Sequence, residues 1–76
     1  MTVIKNIAFS DYYSAVDISA HGTMPDYGFI IATVNTIPVD GALLICARQD
    51  GNHIITLVFD KNPGQINVTL QFSVFK

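Results

Sequence analysis

Three side chains in this sequence could transfer a proton or act as a nucleophile near neutral pH: His21, His53 and Cys46. Nucleophilic catalysis would need one imidazole beside Cys46 or a serine, with a third group orienting the ring. Nothing in the spacing imposes that arrangement. His21 precedes Gly22 in a loop and His53 flanks a turn, so both read as ordinary surface or turn histidines. Cys46 lies in the apolar run Leu43 to Ala47, where a lone thiol behaves as a small core hydrophobe and forms no disulfide. One cysteine and two distant histidines make a poor zinc site, and a chain without Glu cannot close an EF-hand calcium loop. No phosphate-binding loop or dinucleotide fingerprint occurs. The expectation is a chain with no catalytic residue, no metal and no cofactor, hence not an enzyme.

Tyr12, Tyr13 and Tyr27 are candidates for binding instead. Adjacent residues of a strand point to opposite faces, so at most one of Tyr12 and Tyr13 enters a given core face. The other, with Tyr27 and the Asp and Asn of nearby loops, would form a platform for stacking on a sugar or touching a protein. Ordinary sheet packing of the same rings is the competing reading. Asn67-Val68-Thr69 matches the N-glycosylation pattern, but it falls inside a predicted strand of a chain whose first residues do not read as a signal peptide.

The elements that would carry these residues are strands. The stretch from Ile66 to Val74 alternates Ile66, Val68, Leu70, Phe72 and Val74 with small uncharged polar residues, the period of a strand buried on one face. Residues 2–9 fit both a helical spacing and an alternation of Val3, Lys5, Ile7 and Phe9, and their β-branched content favours the strand. A second alternation places Tyr12, Ser14, Val16 and Ile18 on one face and Asp17 towards solvent. Phe29-Ile30-Ile31-Ala32 is apolar on both faces and reads as a strand covered on both sides. Asp50-Gly51 between two apolar runs predicts a hairpin with a primed turn, and Pro63-Gly64 predicts a type II turn. Ile, Val and Thr together supply twenty-three residues, and all six acidic residues are the turn-favouring Asp. Five or six strands with little helix, and no internal repeat, predict one all-β domain over residues 1–76, a small antiparallel β-sandwich or partial barrel.

Charge is the outlier of the composition. Only 13% of residues are charged, against about 25% in an average soluble domain. Contact surfaces are depleted of Lys and acidic groups, so self-association is expected. A chain of 76 residues also supplies a core worth only about 3–5 kcal/mol, which makes a partner chain a useful support. With a net charge of -2 and scattered cations there is no basic stripe for nucleic acid. The longest apolar run, Ala42 to Ala47, falls far short of the ~20 residues that span a bilayer, so no membrane partner and a cytoplasmic location at synthesis are expected. An uncharged strand as long as the last one should be central in its sheet or shared with another subunit, and the low charge favours sharing. The interface expected from it comprises Val68, Leu70, Phe72, Val74 and Phe75.

Gly28-Phe29-Ile30-Ile31-Ala32-Thr33, then Asp40 to Arg48, Gly51 and the closing Val68-Thr69-Leu70 resemble the distal segments of bacteriophage tail fibres and tailspikes, which are likewise small, charge-poor and punctuated by turns. The resemblance covers about half of the chain. It implies a homotrimeric tip, cap or assembly module that contacts a host-surface glycan or another phage structural protein, and so incorporation in a virion. A separately made assembly partner fits the same residues. The alternative is a small inhibitor that blocks another protein through an exposed edge or loop, and a third reading is a carbohydrate-binding module.

Overall fold

A computed structural model describes residues 2–21 and 28–74. Six strands form: β1 (Thr2–Ala8), β2 (Tyr13–Asp17), β3 (Gly28–Val34), β4 (Leu44–Gln49), β5 (Ile54–Phe59) and β6 (Gln65–Val74). Among the described residues the helical content is one 3-10 turn at Ser19–His21 and a short turn at Val39–Gly41 whose Asp40 leaves the helical region. The strands make two antiparallel sheets of three, ordered β1-β6-β3 and β2-β5-β4. The expected all-β sandwich is therefore present. Only the β4–β5 connection stays within one sheet; every other connection crosses between the two.

The alternation of the sequence becomes the two faces of each sheet. In β6, Ile66, Val68, Leu70 and Phe72 are buried, and Val3 and Ile7 of β1 stand beside Leu70 and Ile66 on the same face. Val16, Ile55, Leu57 and Phe59 of the second sheet, with Ile18 just past β2, close the same core cluster. Phe9, just past β1, packs edge-to-face on Phe59 with ring centroids 5.3 Å apart and so joins the layers. Residues 2–8 take the strand reading and Phe9 follows in step, because Val3, Ile7 and Phe9 all reach one core.

Three expectations need correction. β6 is the central strand of its sheet, with β1 on one side and β3 on the other, so neither of its edges is left for another subunit. Val68, Leu70 and Phe72 are buried by the chain itself, while Phe75 and the side chain of Val74 lie outside what the structure describes. β3 is not covered on both sides. It is an edge strand with Ile31 49% exposed, because among the described residues no layer covers the outer face of its sheet. The hairpin is present, with Asp50 N–H donating to the Ile54 carbonyl at 2.9 Å, but Gly51 has no positive φ. Four residues, 50–53, span the gap between β4 and β5, long enough to turn without left-handed backbone.

The left-handed pair occurs ten residues earlier. Asp40 and Gly41 have φ of 56° and 66°, and Ala42 N–H donates to the Val39 carbonyl at 3.2 Å, the arrangement of a type I′ turn. Gly64 follows its type II expectation with φ of 75°. Its N–H donates to Asn62 Oδ1 at 2.8 Å, fixing the turn that feeds β6.

Candidate binding surfaces

The register of the first sheet collects one phase of three strands on an open outer face. Ile4 stands opposite Thr69 and Asn6 opposite Asn67, and on the other side of β6 Ile31 pairs with Gln71 and Thr33 with Thr69. Thr2 and Gln71, with Ala8 and Gln65, complete the rows. No charged side chain stands among them. Lys5 belongs to the opposite phase of β1, and the other described charges sit on the second sheet or in loops. Ile4 and Ile31, 63% and 49% exposed, put apolar area at the two margins of this face.

Between those margins runs a chain of amides. Asn67 Nδ2 donates to Asn6 Oδ1 at 2.8 Å, and Asn35 Nδ2 donates both to Asn67 Oδ1 and to Thr69 Oγ1, each at 2.8 Å. Just past β3, Asn35 N–H donates to the Asn67 carbonyl and Thr36 Oγ1 accepts from Asn67 N–H, which extends the β3–β6 pairing beyond the strand. These amides satisfy one another, so a partner covering them would strip less water-bonded polarity than from isolated side chains.

The second sheet differs. Tyr13, Val58 and Cys46 form a row across its outer face, and Thr56 lies in the row that includes Ala15 and Arg48. Thr56 Oγ1 donates to Asp50 Oδ2, and Arg48 Nε pairs with Asp50 Oδ1 at 3.1 Å. The hydroxyl of Thr56 and then the Arg48 guanidinium hold the Asp50 carboxyl below the usual carboxylate range, against an opposing effect of burial. Asp17 is lowered too, chiefly by the Ser19 backbone N–H at 2.8 Å. Each cluster fastens a strand end.

Tyr12 and Tyr13 are both 49% exposed, and their rings touch edge-to-face with centroids 5.0 Å apart. They do not divide between opposite faces, because β2 begins only at Tyr13 and Tyr12 belongs to the bend before it. Tyr27 lies outside the described residues. His21 ends a 3-10 turn, its N–H donating to the Ile18 carbonyl, and the carbonyl of His53 accepts from Ile18 N–H. Cys46 is half-buried beside the β4 bulge. Among the described residues no group of three His, Cys, Asp or Glu gathers, no pocket forms, and no helix is long and apolar enough to cross a membrane.

Of the outer face of the first sheet, only the central strand is legible in the sequence. Asn67, Thr69 and Gln71 are the polar phase of the same alternation that marks the core. What flanks them depends on pairing β6 with the distant β1 and β3. Comparison with family models, with curated proteins and with solved structures finds no match to this chain.

Proposed function

We propose that this chain is a non-enzymatic assembly or binding module that works through the uncharged outer face of β1-β6-β3. The observation behind this reading is that three strands present Ile, Thr, Asn and Gln side chains with no charge among them, in a domain that exposes eight large hydrophobics among its described residues, Ile37 at 94%. A surface of this kind forfeits little charge hydration on contact, and interfaces are depleted of Lys, Asp and Glu for that reason. Self-association fits it well, because two uncharged faces do not repel. The resemblance to fibre tips is the reason to seek the larger assembly among phage structural proteins.

Light scattering across a dilution series in ordinary and high salt tests the reading. The expected result is a mass above the 8.3 kDa protomer that survives salt, since apolar contacts are not screened. A mass of 8.3 kDa throughout removes self-assembly and leaves binding to a different protein. A second reading, glycan binding, is favoured by the paired half-exposed rings of Tyr12 and Tyr13. Glycan-array binding that disappears in both Tyr12→Ala and Tyr13→Ala is the result it requires.

A further inference from the structure

Of the four sheet edges, three carry a feature that deters pairing. β1 contains Lys5, whose Nζ donates to the Asp17 carbonyl of β2 at 2.9 Å, so these two edges are tied to each other. β2 ends in Asp17, and β4 carries Arg48 and a bulge between Leu44 and Cys46. Charges and bulges of this sort are how β proteins keep edges from pairing. β3 has no such charge, proline or bulge: its seven residues keep unbroken register with β6, and β4 is the strand of the other sheet that comes close to it.

The geometry points to β3 as a self-pairing edge, joining antiparallel to β3 of a second copy in a two-fold dimer. This inference rests on the assembly reading above and names its partner. Asn35 N–H donates to the Asn67 carbonyl, and because hydrogen-bonded positions alternate in an antiparallel ladder, Thr33 and Ile31 also turn their backbone groups to β6. Gly28, Ile30, Ala32 and Val34 then turn theirs outward. An antiparallel pairing centred on Ile31 sets Ile30 opposite Ala32 of the second copy and Gly28 opposite Val34, matching outward groups with outward groups over the whole strand. Ile31 meets Ile31 across the axis, a β-branched pair that favours sheet contact. An isologous contact must be self-complementary, and this register is. The product is a six-stranded sheet in which both uncharged outer faces lie on the same side.

The test places charge at the axis. Ile31 is 49% exposed, so Ile31→Lys and Ile31→Asp keep the fold, which circular dichroism and thermal unfolding verify. Light scattering of the parent chain should give two protomers of 8.3 kDa. Each variant alone should dimerise about tenfold or more weakly, and an equimolar mixture of the two should recover the dimer, because only then do opposite charges meet. Amide exchange adds a backbone readout: protection at Ile30 and Ala32 should rise with protein concentration. Ile31→Lys dimerising like the parent, or a mixture that stays monomeric, overturns the edge pairing. Ile4→Lys separates the two readings, for it charges the same outer face on the far strand and should leave the edge dimer intact. Assembly lost in Ile4→Lys but insensitive at residue 31 would retain the outer face as the contact and reject β3 pairing.

Discussion

Gly64 approaches Val39 so closely that a β-carbon at position 64 would lie 2.6 Å from Val39 Cγ2. The contact is held from the backbone as well, since Val39 N–H donates to the Pro63 carbonyl at 2.9 Å and Phe9 N–H to the Gly64 carbonyl at 3.0 Å. One turn therefore anchors the end of β1, the loop after β3 and the start of β6.

Gly64→Ala should be costly, because it adds this clash to a φ of 75° that L-residues avoid. Gly41→Ala keeps the strain, at φ of 66°, but meets open space. Gly51→Ala has neither problem. Urea denaturation should rank the losses as Gly64, then Gly41 at about 1–2 kcal/mol, then Gly51 near zero. A Gly51 loss equal to that at Gly64 would contradict the turn assignments.

Leu70 is fully buried in the central strand. Leu70→Ala should cost about 2–5 kcal/mol, comparable with the ~3–5 kcal/mol a core of this size supplies. The expected outcome is a chain largely unfolded at room temperature by circular dichroism. Ile37→Ala, at a position 94% exposed, should leave the unfolding midpoint unchanged.

Asn67→Ala removes the side-chain bonds that Asn67 makes to Asn6 of β1 and to Asn35 past β3, and leaves the one from Asn35 to Thr69. Because the ladder is open to water, the loss should be about 1–2 kcal/mol, near the net value of two hydrogen bonds. Urea unfolding measures it. A loss above that of Leu70→Ala would mean the amides hold the sheet more than the core does.

The acid limb of stability should depend on Asp50 and Asp17. Both carboxyls are lower in the folded chain than their ordinary value of 3.8, so their stabilisation is complete above that value and is lost as pH falls through the folded values. Unfolding at a series of pH values should show stability declining on acidification below about pH 4. Thr56→Val should raise the Asp50 titration towards its ordinary range and shrink its share of that decline. An unaltered Asp50 carboxyl titration by NMR in Thr56→Val would show that the hydroxyl does not hold the carboxylate.

Much of the fold was legible locally. Ile66, Val68, Leu70 and Phe72 alternate because a pleat turns successive side chains to opposite faces, and that period alone assigns strand, core face and polar face. Gly64 was legible for the same kind of reason: a Pro-Gly pair constrains four residues and nothing beyond them. The primed turn was misplaced because Asp-Gly occurs twice. Asp40-Gly41 must reverse the chain tightly beside Pro63, whereas Asp50-Gly51 has four residues in which to turn.

Pairing was not legible. Whether β6 is central or an edge depends on hydrogen bonds to strands beginning at Thr2 and Gly28, far away in the chain, and alternation carries no information about neighbours. The same applies to the two surfaces that matter most here. Low charge announces that some contact face exists, but it is tertiary pairing that aligns Ile4, Asn67 and Ile31 on one uncharged sheet face. Pairing also leaves β3, alone among four edges, without a charge or a bulge, because an edge exists only where a sheet stops.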